Sequence, residues 1–220
     1  MTFRLSVLLL AVFALDAAGQ TAELRPLPIV LPKPLFEGTP EPTDVPNLEK
    51  ARKSARPPFL APAGVTNVAL HKPVSGSDPD PLLGSLDMLT DGNKSGTDGA
   101  SVEMKLGVQS VVIDLEARHT IYAILFWHYL KEARVYYDVV VQVADDPDFI
   151  TNVRTLFSND SDNTAGLGIG QDLHYVETAE GKLIDAKGVE ARYVRLTSNG
   201  SNRAQPNHYV EVEVFGRPVE

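Results

Sequence analysis

The sequence predicts an all-β fold, and three observations predict it. Apolar runs of roughly four to eight residues recur across residues 65–217, and several alternate in the two-residue period of a half-buried strand. Gly, Asn, Asp and Pro fill the gaps between them, which is turn chemistry. No stretch of that region carries a long 3.6-residue apolar period. Many short strands with turns between them describe a sandwich or a barrel.

The chain has 220 residues, and the first ones read as processing rather than structure. Arg4 gives a positive start, Leu5 to Leu15 is an apolar run of signal-peptide length, and Ala17-Ala18-Gly19 offers small residues for cleavage. The run is too short to span a bilayer, which takes about 20 apolar residues. A signal peptide over residues 1–19 predicts a secreted or periplasmic protein; an uncleaved anchor is the alternative. Residues 20–64 change character. Pro26, Pro28, Pro32, Pro34, Pro40, Pro42, Pro46, Pro57, Pro58 and Pro62 punctuate them. Proline lacks a backbone donor and fixes φ, so a disordered, extended linker is expected, with a helical turn or two over Asn47 to Arg56. It reads either as a tether or as an arm without a role.

The strands follow in order. Ser110 to Leu115 is apolar and ends at an acid. Ile121 to His128 is apolar and aromatic, and Tyr137 to Ala144 is a β-branched run suited to burial on both faces. Arg192 to Thr197 alternates. In Tyr209 to Phe215, Val210, Val212 and Val214 share one face, with Glu211, Glu213 and Phe215 on the other. The domain, residues 65–217, has roughly the size at which one core forms.

Cysteine is absent, so no disulfide framework holds an exported chain together, and stability must come from a core, a metal or both. The net charge of −9 argues against nucleic acid and anionic membranes as partners. No other segment is long and apolar enough for membrane insertion. Gly-x-Ser-x-Gly and His-Glu-x-x-His are missing, and His71, His119, His128, His174 and His208 lack metal-ligand spacing. An enzyme is therefore not expected.

Six segments, in order, resemble one family. Asn67 to Val74 resembles Asn-Leu-Ala-x-Gly-Lys-Pro-Val, and Thr90 to Asn93 resembles a Val-Asp-Gly-Asp/Asn turn. Gln109 to Leu115 and Asp138 to Asp146 resemble its Gln-Trp-Leu-x-Val-Asp-Leu and Tyr-x-Ile-Gln-Val-Ser-Asp-Asp strands. Ala191 to Leu196 and Glu211 to Gly216 resemble Ala-Arg-Tyr-Val-Arg-Leu and Glu-x-Glu-Val-Tyr-Gly. This pattern is similar to the discoidin domain of coagulation factor V/VIII C-type, and to family 32 carbohydrate-binding modules. Ser110 and His71 stand where the family usually has Trp and Gly. The resemblance implies a jelly-roll β-sandwich of galactose-binding-like type. It also implies a non-catalytic module, stabilised by Ca2+, that binds carbohydrate or another extracellular surface component. Cell-surface adhesion or protein interaction without a sugar site is the alternative.

Two constellations carry that chemistry. Asp91 and Asn93 flank Gly92, which permits a turn aiming two oxygens at one hard cation. The resemblance implies the remaining ligands: the Met88 carbonyl, Ser101 and Glu211. An Asx turn without metal is the alternative. Trp127, His128, Tyr129 and Arg134 lie between two strands, as aromatic and basic groups facing a sugar would. Alternatively, Trp127 belongs to the core. Asn159 to Gly170 holds acids, amides and glycines; it reads as a flexible surface loop in preference to a second cation site.

Overall fold

The computed structural model describes residues 13–15, 21–35, 43–97 and 99–219. Most of the expected signal peptide lies outside the described residues. The strands are β1 (Phe13–Leu15), β2 (Thr21–Pro26), β3 (Leu60–Pro62), β4 (Thr66–Asn67), β5 (Val74–Gly76), β6 (Val102–Leu106), β7 (Gln109–Trp127), β8 (Val140–Ala144), β9 (Arg154–Ser158), β10 (Lys182–Ser198), β11 (Pro206–Tyr209) and β12 (Glu211–Pro218). One short 3-10 helix, Leu86–Thr90, precedes β6. Among the described residues no helix is long and apolar enough to cross a membrane.

The strands pair antiparallel and build a β-sandwich, the class expected from the sequence. Two strands expected separately, Ser110 to Leu115 and Ile121 to His128, are one 19-residue strand, β7. Its first half pairs with β5 and with the end of β10, which continues to β8 and β9. Its second half pairs with β12 and with the start of β10, and β12 adds β4. Register shifts at Asp185/Val189 and Ala191/Tyr193, with positive φ at Glu116 and Lys187, bend both long strands between the two leaves.

Val111, Ile113, Val141, Val143, Val194 and Leu196 of one leaf meet Ile124, Phe126, Ile184, Val212 and Val214 of the other in the main core. The second half of β7 is buried on its outer face too. There Ala123, Leu125 and Trp127, with Phe215 and Val210, pack against Leu27, Ala61 and Val65, with Ile29 and Phe59 alongside. Val210 thus departs from the face it was expected to share with Val212 and Val214, because it falls in the break between β11 and β12.

Those partners come from the Pro-rich segment, and the expectation of a disordered linker is corrected. β2 pairs with β3, Leu48 bridges His174, and Glu49 donates its amide to the His174 carbonyl at 2.8 Å. Proline keeps the segment out of the main sheet, but its interspersed Leu, Ile and Phe supply an apolar surface that β7 lacks on that side. The helical turns expected over Asn47 to Arg56 do not form; the chain runs there as bends.

Candidate functional site

The turn after the 3-10 helix meets the last strand. Gly92 takes φ +84, a conformation that L side chains rarely adopt. This aims its amide at Glu211, which accepts it through both carboxylate oxygens at 3.2 Å. Asp91 folds back on the turn, accepting the Asn93 amide at 2.7 Å, and Asn93 accepts the Ser95 amide at 3.1 Å. Met88 lies inside the 3-10 helix. Ser101 is buried at the foot of β6, with its carbonyl beside Gly84 and no hydrogen bond to Asp91 or Glu211.

Glu211 is fully buried. Burial, reinforced by the negative charge of Asp91, pushes its pKa up to about 8. Next along the strand, Glu213 forms an ion pair with Lys94 at 2.5 Å, while its other oxygen has no hydrogen-bond partner; burial raises its pKa as well. A buried carboxylate beside a second acid, eased by one main-chain amide and by the charge of Lys94 yet still raised in pKa, is the electrostatic setting that a hard cation relieves. Every donor in the expected set is oxygen, which suits calcium.

A second acidic group stands elsewhere. Carboxylate oxygens of Asp138, Asp160 and Asp162 lie within 4.8 Å of one another and could hold a metal ion. Asp160 is buried and accepts the amides of Thr164 and Ala165 at 3.0 Å, so the loop expected to be a flexible surface element is anchored there. Burial, and then the two neighbouring acids, raise the Asp138 pKa despite a hydrogen bond from Asn199.

The expected ligand residues divide into two sets. Trp127 and His128 are fully buried, and the expectation that they touch a ligand is corrected. They alternate across β7 and the residue after it, so Trp127 faces the Pro-rich arm and donates its indole N–H to the Ala179 carbonyl at 3.0 Å. His128 faces inward. Its Nδ1 donates to Glu177 at 2.5 Å, and its ring stacks on Tyr136 at 4.1 Å between centroids.

Tyr129 and Arg134 stay together at the loop end. The Arg134 guanidinium lies 3.9 Å from the Tyr129 ring centroid and donates to Glu132 through Nε at 3.0 Å. Sequence reading missed two neighbours. The His208 ring lies 5.3 Å from that of Tyr129, and Nε2 sits 3.4 Å from a Glu103 oxygen. Tyr136 donates its hydroxyl to His208 Nδ1 at 3.1 Å. Burial and the adjacent Arg134 charge lower the His208 pKa, so the ring is neutral near pH 7 and can accept that bond. The pairing of β6 with β11 brings Glu103 to His208, a contact no local pattern announces.

No protein-family model matches the chain, and no curated protein matches it. Solved structures do. A family 89 glycoside hydrolase from Clostridium perfringens aligns over 70% of this chain and 15% of its own, with 16% identity and a TM-score of 0.51. A truncated AlyQ with CBM32 and alginate lyase domains aligns over 67% of this chain and 32% of its own, with 16% identity and a TM-score of 0.48. A Streptococcus pneumoniae fucose binding module aligns over 68% and 96%, with 20% identity and a TM-score of 0.48. The chain thus spans about a third or less of the first two proteins. The likeness to the hydrolase supports the sandwich fold read from the strands.

Proposed function

We propose that this chain is an exported, non-catalytic module that binds carbohydrate, steadied by calcium between Asp91, Asn93 and Glu211. Residues 1–19 direct export and residues 65–217 form the domain. The observation that carries the reading is the Tyr129–Arg134 pair, flanked by His208 and Glu103 at one end of the sandwich. An aromatic face offers itself to sugar C–H groups, while a fixed guanidinium, an imidazole and a carboxylate supply donors and acceptors for hydroxyls. Tyr129 and Glu103 are half-buried and Glu132 is exposed, while Arg134 and His208 are buried behind them, so the cluster reaches solvent at its rim.

A glycan array on the full chain, followed by calorimetry on its best binder, tests this. Tyr129→Ala and Arg134→Ala should each weaken binding about tenfold or more, the value of one lost fixed polar or stacking contact. Melting curves should show both variants still folded. An array without a single binder would remove the carbohydrate reading. The adhesive alternative would then gain from Leu82, Leu83 and Leu106, which are 50–56% exposed and surround the paired Leu83 and Glu103 backbones.

A further inference from the structure

The Pro-rich arm does more than cover Trp127: it walls a cavity of about 710 Å3 against the segment Tyr175–Leu183. That volume falls in the range of roughly 300–1,000 Å3 seen for small-molecule sites. Leu48, Leu130, Leu183 and the Tyr175 ring provide apolar lining, and the arm residues 51–55 along it are exposed.

The charges in it run against the rest of the chain. Four cations line the cavity, Arg52, Lys53, Arg56 and Lys182, against two anions, Glu49 and Glu180. This local surplus of two positive charges sits in a protein of net charge −9. Most of these groups build the wall. Glu180 pairs with Arg52 and accepts the Arg56 amide at 3.1 Å, and the Arg56 guanidinium donates to the Gly181 carbonyl at 2.9 Å. Lys182 sits 3.2 Å from Glu49 and 4.3 Å from the Tyr175 ring centroid. Among the described residues, Lys53 has no anionic or aromatic partner, and the Arg56 guanidinium donates to main-chain carbonyls rather than to a carboxylate. We propose that this cavity is a second binding site, for a saccharide bearing a carboxylate, with Lys53 receiving the anion.

An anion follows from the charge surplus. A sugar ring over the apolar lining rests on the carbohydrate reading above. A polyphosphate is disfavoured because two surplus charges cannot offset the repulsion of the remaining chain. The site is distinct from the Tyr129–Arg134 face, since only Leu130 of that loop borders it.

Calorimetry on the full chain, with tetragalacturonate and a neutral galactose tetrasaccharide as probes, tests the proposal. Tetragalacturonate should bind, and binding should weaken severalfold between about 0.05 M and about 0.5 M NaCl through screening. Lys53→Glu should weaken it about tenfold, the effect of reversing one charge at the anion. Lys53 is exposed and makes no ion pair, so this variant should melt as the parent does. Absence of tetragalacturonate binding, or binding indifferent to Lys53→Glu, overturns the proposal. If Arg134→Ala removes tetragalacturonate binding and Lys53→Glu does not, the acid sugar sits on the other face; the cavity proposal is overturned and the face reading stands. If binding depends on Lys53 while no neutral saccharide binds, the cavity proposal stands and the face reading falls.

Discussion

At the scale of single residues, the most demanding feature is the buried pair of His128 and Glu177. Neither side chain is exposed; one Glu177 oxygen accepts the His128 Nδ1–H, while among the described residues the other oxygen and His128 Nε2 have no hydrogen-bond partner. Removing one member of a buried pair strands the other without compensation, at a cost of about 3–5 kcal/mol. His128→Ala should therefore lower the free energy of unfolding by that much, read as a lower urea midpoint at unchanged slope, whereas Lys53→Glu should leave the midpoint in place. An unchanged midpoint for His128→Ala would mean that water reaches the Glu177 carboxylate and replaces the lost donor. The same burial means that lost sugar binding in a His128 variant would report unfolding, so half-buried Tyr129 is the informative position, and Arg134→Ala is read only beside its melting curve. Gly181 is similarly constrained. It takes φ +65, and a Cβ there would stand 2.7 Å from the Trp127 indole. Gly181→Ala should cost about 1–3 kcal/mol and shift the emission of the one tryptophan, because indole and backbone cannot both stay.

At the scale of elements, the arm decides whether β7 can be buried on both faces. Its Leu27 and Ala61, with Ile29 and Phe59 alongside, cover Leu125, Trp127 and Phe215. Truncation to residues 65–220 would uncover large apolar side chains worth about 1.5–3 kcal/mol each. The shortened chain should melt well below the full one and show red-shifted Trp127 emission; equal melting temperatures would return the arm to the status of a loose tether. This element was poorly legible because proline density signals an inability to pair with a central sheet, not an inability to pack. The strands were better marked. Alternation in Arg192 to Thr197 and the run Val111 to Leu115 fixed their identity, since period two survives without knowledge of partners. The continuity of β7 across the bend was hidden, because the mostly polar stretch Glu116 to Thr120 interrupts the apolar run. Short β9 and β11 left no sustained apolar pattern, whereas β6 alternates Val102, Met104 and Leu106 with Glu103 and Lys105, a period-two signal that the sequence reading passed over. The Tyr129–Arg134 proximity was visible from five residues of spacing, but His208 and Glu103 needed the β6–β11 pairing.

At the scale of the whole molecule, the question is what replaces disulfides, and Glu211 gives a measurable answer. Its folded-state pKa is about 8, against an ordinary value of 4.5. A carboxyl whose pKa rises on folding holds its proton more tightly in the folded state than in the unfolded chain. From this group, stability is therefore unaffected well below pH 4.5, falls as pH rises toward 8, and levels off above that. The loss is on the order of a few kcal/mol, enough to move the melting point by several degrees. A calcium ion would stabilise the deprotonated carboxylate and remove the decline. In chelator, the melting temperature should accordingly drop between pH 5 and pH 8; with millimolar calcium it should stay level or rise. Glu211→Gln should lose the calcium response and flatten the pH slope to the part that Glu213 contributes, since an amide neither titrates nor offers the charge. If calcium leaves melting unchanged at pH 8 while the slope persists in chelator, then the Gly92 amide and the proton suffice to hold turn and strand together, and the turn is an Asx turn without metal.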